Sequence, residues 1–184
     1  MRALAISGSL RADSYNTRLL RAAADLAPEG IEFELYEELE LLPPYNEDHD
    51  GEEPDLQVAR LRQAIAGADA VLFSTPEYNG SVPGQLKNAV DWASRPFGRS
   101  ALWGKPVAVI GASSGEYGAL WAQADLRKTL GIAGARVLEA ELPVGKAAEQ
   151  FDADGELANE ETRERLADIV VALSEHHYQL AMAA

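Results

Sequence analysis

The sequence predicts an α/β protein built on a five-stranded parallel sheet of order 2-1-3-4-5, with helices on both faces. Three apolar segments, residues 4–6, 70–73 and 107–110, have the composition of strands buried on both faces. Two other segments, residues 31–36 and 135–142, alternate apolar and polar side chains as half-exposed strands do. Helical patterns separate these strands, which predicts parallel pairing, and the order 2-1-3-4-5 places the two alternating strands at the edges.

The first half of the chain connects its strands through two predicted helices. Apolar residues at helical spacing from Leu19 to Ala27 predict the first helix, with Ser14 or Asn16 as its N-cap. An acidic loop with several prolines, residues 41–54, precedes the second helix, which is predicted over residues 58–68. Each helix therefore lies between two strands, as a parallel sheet requires.

The second half carries three more predicted helices. The third begins near Pro83, which suits a first-turn position, and its Trp92 lies off the apolar stripe and is predicted to pack elsewhere. The fourth helix is predicted over about residues 117–130. Leu166 to Leu173 form the apolar stripe of the last helix.

Composition limits the classes of function. A chain of 184 residues with 47% hydrophobic residues suits a single domain, predicted to span residues 1–184. It contains no cysteine, which excludes thiolate nucleophiles, disulfides and cysteine-based metal sites. The net charge of −14 argues against nucleic acid or an anionic membrane as a partner. With no signal peptide and no membrane-length apolar segment, the expected location is the cytoplasm.

The sheet order places the candidate site between strands 1 and 3, where two loops face one crevice. The first loop combines hydroxyl groups with an arginine and leads into a helix N-terminus, which is typical of a site for a phosphate monoester. The candidate ligands are Ser9, Arg11, Ser14, Asn16 and Thr17. The alternative is that the serine and asparagine side chains only cap the helix.

Two further loops follow neighbouring strands. Residues 75–84 offer Glu77, Tyr78 and Asn79, together with backbone groups that can pair with the edge of a flat heterocycle. Residues 113–115 can donate N–H groups to negative charge on the same ring. The three loops together predict a ligand with a phosphate at one end and an aromatic ring system at the other.

These segments resemble the NADPH-dependent FMN reductase family. The resemblance rests on residues 8–11 and 14–16, on residues 76–92 as its most specific part, and on the segments 111–115 and 151–155. It covers nearly the whole chain. It implies a flavodoxin-like three-layer sandwich and an oxidoreductase of the group that includes quinone, chromate and azo reductases.

The resemblance also implies the cofactors and the residues that bind them. FMN would be held at its phosphate and ribityl chain by Ser9, Arg11, Ser14, Tyr15 and Asn16. Its ring would be surrounded by Pro76, Glu77, Tyr78, Asn79, Ser113, Ser114 and Gly115. NADPH or NADH would give a hydride to flavin N5 in a ping-pong reaction, and FMN, a quinone, an azo compound or a metal oxyanion would accept the electrons. No side chain is required as a catalyst, although Tyr78 is a candidate for lining the open face of the ring.

The resemblance further implies a homodimer or homotetramer with the third and fourth helices at the interface. Two other functions stay open from the residues. A flavodoxin-type electron carrier uses the same fold and cofactor. Residues 111–115 also fit the G-x-S-x-G pattern of serine hydrolases, with Ser113 as nucleophile. The histidines that follow Ser113 are His176 and His177, in the last predicted helix.

Overall fold

A computed structural model describes residues 1–51 and 53–183 of the chain. Its strands are β1 (Arg2–Ser7), β2 (Glu32–Tyr36), β3 (Ala70–Ser74), β4 (Pro106–Ala112), β5 (Arg136–Val137) and β6 (Pro143–Val144). Its α-helices are α1 (Tyr15–Asp25), α2 (Leu56–Gly67), α3 (Gly84–Ala93), α4 (Leu120–Ile132) and α5 (Glu160–Ala183). In the part of the chain described, strands and helices alternate as predicted up to β5, which β6 follows directly.

The strands form one sheet of order β2-β1-β3-β4-β5, and all neighbouring pairs are parallel. This is the order of flavodoxin-like folds, and the predicted order is confirmed. The register pairs Ser7 of β1 with Ser74 of β3, and Ser74 with Ile110 of β4. The loops that follow these three strands therefore leave the sheet together at its carboxyl edge.

The sheet carries a hydrophobic core on each face, because alternate residues of a strand point to opposite sides. In β3, Val71 and Phe73 pack with α2, α3 and α4, whereas Ala70 and Leu72 pack with α1 and α5. The apolar residues of β1 and β4 divide in the same way. The result is the predicted three-layer sandwich.

The last strand is predicted over residues 135–142, and the prediction is wrong in extent, because β5 spans only Arg136–Val137. The chain pairs with β4 only through Arg136 and Val137, leaves the ladder, and returns to β4 as the short strand β6. The Leu142 carbonyl accepts hydrogen bonds from the Gly111 N–H of β4 at 3.2 Å and from the Gln123 amide at 3.3 Å, and the Leu142 N–H donates to the Gln123 amide oxygen at 3.3 Å. This segment is therefore held by α4 as well as by β4.

The acidic loop between β2 and α2 is fixed to α3, although its residue 52 lies outside the described residues. The Trp92 ring is buried, donates a hydrogen bond of 2.8 Å to the Pro43 carbonyl, and packs edge-on against Tyr45. Trp92 therefore packs against the loop, in keeping with its position off the apolar stripe. Asp50 is held by an ion pair of 2.6 Å with Arg62.

The helix boundaries differ from the predicted ones by a few residues. Ser14 is the N-cap of α1, which decides between the two predicted candidates. Pro83 is the N-cap of α3 and not a first-turn residue, and α4 begins at Leu120. Within the described residues, none of these helices has both the length and the apolar character needed to cross a membrane.

Candidate functional site

Three loops meet at the carboxyl edge of the sheet and enclose a cavity of about 150 Å³, named here the main cavity. The first loop follows β1, the second follows β3 and the third follows β4. Backbone groups and polar side chains of all three loops line this cavity. The arrangement is that of a ligand site at the switch point of a parallel sheet.

The first loop leads into the N-terminus of α1, where unpaired N–H groups collect. The Ser14 Oγ accepts hydrogen bonds from the N–H groups of Asn16 and Thr17, at 3.2 and 3.4 Å. In the described chain, the N–H groups of residues 12–15 donate to no protein acceptor. These donors and the positive end of the helix dipole make this loop suitable for an anion.

Arg11 adds a full positive charge to the same loop. Its side chain is exposed, lines the main cavity and has no ion-pair partner among the described residues. The nearby Asp13 is paired with Arg18, which removes the closest carboxylate of the loop from competition for Arg11. A phosphate entering this site would therefore meet an available guanidinium.

Asn16 ties the ends of two strands to the start of α1. It is buried at 3% exposure, and its Nδ2 donates to the Ala112 carbonyl at 2.9 Å. Its Oδ1 accepts from the Ala112 N–H at 2.9 Å and from the Ser74 hydroxyl at 2.8 Å. The Asn16 side chain thus supports the site by holding α1 against β3 and β4, a role that sequence reasoning did not identify.

The second loop contains a tight turn. The backbones of Tyr78 and Ser81 exchange two hydrogen bonds of 3.1 and 3.2 Å. Asn79 has a φ of 54° in this turn and its side chain is exposed, so the turn explains its residue type. Tyr78 is 52% exposed and stands at the mouth of the main cavity.

The Glu77 side chain caps α4. The residue before this helix, Ala119, has a left-handed backbone and offers no capping side chain. The Glu77 carboxylate instead accepts a hydrogen bond of 3.0 Å from the Ala122 N–H, at the positive end of the helix dipole. Because its carboxylate bonds to α4, Glu77 contributes mainly backbone groups to the main cavity.

The third loop is held from behind by the chain around β6. The Ser113 N–H donates to the Val144 carbonyl at 3.1 Å, and the Ala147 N–H donates to the Ser113 carbonyl at 3.0 Å. The N–H groups of Ser114 and Gly115 have no such acceptor within the residues described. The donors available to a ligand are therefore those of Ser114 and Gly115, whereas that of Ser113 is occupied.

The Tyr15 ring is held by two other side chains. It stacks on the Phe151 ring at a centroid distance of 5.6 Å, and the Arg18 guanidinium lies 5.7 Å from its centre. Phe151 belongs to a loop after β6 that the sequence alone gave no reason to place beside the first loop. Tyr15 consequently presents a fixed aromatic surface to the main cavity.

Most of the predicted site residues do meet in one place. The main cavity is lined by Ser9, Arg11, Ser14, Tyr15, Asn16, Pro76, Glu77, Tyr78, Ser113 and Ser114, together with the unpredicted Ala112. Thr17 lies instead in a neighbouring cavity, where its hydroxyl bonds to Ser7 at 3.0 Å. Asn79 and Gly115 are outside the lining.

The histidines needed for a serine hydrolase lie at the wrong end of the sheet. His176 contacts the Arg136 carbonyl at 3.3 Å, and Arg136 pairs with Pro106, the first residue of β4. Ser113 directly follows the last residue of β4. A strand of seven residues spans about 20 Å, so this histidine cannot activate the Ser113 hydroxyl. His177 acts electrostatically on Asp69, which precedes β3 and thus also lies at the amino edge.

A parallel sheet of this order, with an anion site and backbone-lined loops at its switch point, defines an α/β protein that binds a phosphate-bearing cofactor. The family model described as NADPH-dependent FMN reductase matches residues 1–149. The chain belongs to this family, and it is an FMN- and NAD(P)H-dependent oxidoreductase.

Several characterised proteins are similar over most of their length. An NAD(P)H-dependent FMN reductase of Pseudomonas aeruginosa is 43% identical over 174 residues, covering 94% of this chain and 93% of that relative. A 2-hydroxy-1,4-benzoquinone reductase of a Burkholderia species is 42% identical, over 88% and 87% of the two chains. The solved structure of FerB, a flavoenzyme NAD(P)H:(acceptor) oxidoreductase from Paracoccus denitrificans, matches with a TM-score of 0.87 at 40% identity, covering 97% of each chain.

Proposed function

We propose that this protein uses FMN to carry electrons from NADH or NADPH to a quinone or to free flavin. The observation that carries the proposal is the meeting, in one cavity, of two loops that offer backbone groups with Arg11, which lies at a helix N-terminus and has no ion-pair partner within the described residues. The names of the Pseudomonas and Burkholderia relatives, an FMN reductase and a quinone reductase, support the two acceptors. Azo compounds and metal oxyanions are further candidates within the same chemistry.

The residues present fit FMN. We assign the phosphate to Arg11, Ser9 and the N–H groups at the start of α1, because these donors lack protein partners. Pro76, Tyr78 and the third loop are assigned to the ring. The Tyr15 ring, fixed by Phe151 and Arg18, is assigned to the ribityl chain between them.

When bound, FMN supplies the redox chemistry, accepting a hydride from NAD(P)H and passing electrons to the acceptor. The N–H group of Ser114, which lines the cavity and has no protein acceptor among the described residues, would stabilise negative charge at the ring. Tyr78 stands at the open mouth of the cavity, where donor and acceptor would enter in turn. This shared entrance supports a ping-pong order.

We also propose that residues 1–184 act as one domain and assemble as a homodimer or homotetramer. Both hydrophobic cores lie on a single sheet, which supports one domain. Exposed large apolar side chains on and beside α3 and α4 support an interface there: Phe97, Tyr117, Trp121 and Ile132. A cytoplasmic location stays a prediction from the sequence.

The absorption spectrum of the purified protein with FMN tests the proposal. We expect a bound-flavin spectrum that bleaches when NADPH or NADH is added without oxygen, and recovers its colour when benzoquinone follows. Bound flavin that neither nucleotide bleaches would show an electron carrier that requires a separate reductase. Absence of FMN binding would refute both flavin functions.

Replacing Arg11 with alanine should weaken FMN binding by about 1.5 to 3 kcal/mol, or roughly 10- to 150-fold in Kd, the size of a charge-assisted hydrogen bond to phosphate. The FMN affinity of Arg11→Lys should lie between those of the wild type and Arg11→Ala, because lysine keeps the charge but not the paired donors. Equilibrium titration followed by flavin fluorescence measures the three values. Equal affinities for the wild type and Arg11→Ala would remove Arg11 from the site.

A further inference from the structure

A second cavity of about 390 Å³, named here the adjoining cavity, lies on the other side of the first loop. It is lined by the end of β1, the first loop, α1, and the end of β2 with the residues after it. It shares Ser9 and Arg11 with the main cavity, so ligands bound in the two cavities would lie side by side. Nothing in the function proposed above uses this second space.

The adjoining cavity contains charged side chains that are not paired with one another. Arg11, Arg21, Glu37 and Glu40 all line it, and none of the four forms an ion pair within the described residues. Glu38, their neighbour, is by contrast paired with Arg60 at 2.7 Å. Two guanidinium groups and two carboxylates are therefore left available to a ligand.

The rest of the lining is apolar or neutral. Leu10, which is 53% exposed, stands at the rim with Leu35 and Leu39. Burial raises the pKa of Tyr36 to about 12, so its phenol stays neutral and adds no negative charge to the wall. An apolar surface for a base, carboxylates for sugar hydroxyls and arginines for phosphate together make a lining suited to a nucleoside phosphate. The volume falls within the usual range for small-ligand sites.

We infer that the adjoining cavity binds the adenosine diphosphate part of NADH or NADPH, with Arg21 paired to its phosphates. This inference rests on the proposed function. Arg11 is assigned to the FMN phosphate, so a second phosphate group nearby requires a cation of its own. Arg21, one helical turn beyond Thr17 on α1, is the second cation in this cavity that has no ion-pair partner among the described residues. Glu37 and Glu40 then accept hydrogen bonds from the ribose hydroxyls.

Isothermal titration of ADP into the FMN-loaded protein tests the inference without catalysis. Arg21→Ala should weaken ADP binding about 10-fold, the usual scale for one charge-assisted hydrogen bond, and leave the FMN affinity unchanged. The KM values for NADH and NADPH should rise by a similar factor, and kcat should stay within about twofold of the wild-type value. Arg136→Ala is the matched control, because Arg136 is also exposed, has no ion-pair partner among the described residues, and lies at the opposite edge of the sheet. It should change none of these values.

ADP that fails to bind, or binding that Arg21→Ala and Arg136→Ala weaken equally, would overturn the inference. Arg21 is exposed on α1, so both variants should keep the melting temperature of the wild type. Different results would refute the proposed reductase function and the proposed nucleotide site. Flavin that NAD(P)H does not bleach, in a protein that binds ADP through Arg21, refutes the reductase function. Normal NAD(P)H oxidation with no effect of Arg21→Ala refutes the binding of adenosine diphosphate in the adjoining cavity.

Discussion

Replacing Asn16 with alanine is expected to lower the free energy of unfolding by about 3 to 5 kcal/mol. The substitution would leave three buried groups without a partner: the N–H and carbonyl of Ala112 and the hydroxyl of Ser74. Each unpaired buried polar group costs about 1 to 3 kcal/mol. The effect should be large because one side chain satisfies all three groups, and alanine is too small to replace any of them.

Urea denaturation of wild type and Asn16→Ala measures this loss. Asn159→Ala is the matched control: the Asn159 side chain is exposed and accepts one hydrogen bond of 2.9 Å from the Thr162 N–H. Removing such an exposed cap should cost about 1 kcal/mol. If Asn16→Ala costs no more than Asn159→Ala, the buried network does not hold the strand ends together.

The position of the site could be predicted from the sequence, because the strand types fit one sheet order. Uninterrupted apolar segments are typical of central strands and alternating ones of edges, which agrees with the order 2-1-3-4-5 and places the loops after β1 and β3 at one crevice. The resemblance at residues 76–92 then indicated the cofactor. These inferences need no knowledge of which side chains touch.

The hydrogen bonds that the site residues make within the protein could not be predicted from the sequence. Glu77 and Asn16 have the polar side chains that a ligand site requires, yet the structure uses the first to cap α4 and the second to bond Ala112 and Ser74. A polar residue near a ligand and a polar residue that supports the loop look alike in sequence. Only the distance between segments far apart in the chain distinguishes them.

The same limit explains the broken last strand. Residues 135–142 mix buried and exposed side chains, but Ala135 and Val137 pack on one face of the sheet and Leu142 on the other. The pattern does not report what the backbone bonds to, and here the Leu142 carbonyl accepts from both Gly111 of β4 and Gln123 of α4. The consequence for the site is direct, because the chain returns as β6 behind the third loop and holds it.

Replacing Gly145 with alanine should therefore disrupt both the fold and the site. A Cβ at this position would overlap the Glu116 carbonyl and lie 3.2 Å from the Gly115 carbonyl oxygen. Both neighbours are backbone atoms that no rotamer change can move. The overlap would strain two hydrogen bonds, from Lys146 N–H to the Gly115 carbonyl at 2.9 Å and from Ala147 N–H to the Ser113 carbonyl at 3.0 Å. We expect a loss of about 3 kcal/mol in stability and at least about a tenfold weaker binding of FMN.

Gly131→Ala is the matched control for this substitution. Gly131 lies in α4, and a Cβ there would meet no atom within 4 Å. The change should stabilise the helix by about 0.5 to 1 kcal/mol and leave the FMN affinity unaltered. Urea denaturation and FMN titration of both variants separate a general effect of the methyl group from a local overlap. Wild-type FMN binding by Gly145→Ala would mean that the third loop can move without loss of the site, and that its N–H groups do not contact the flavin.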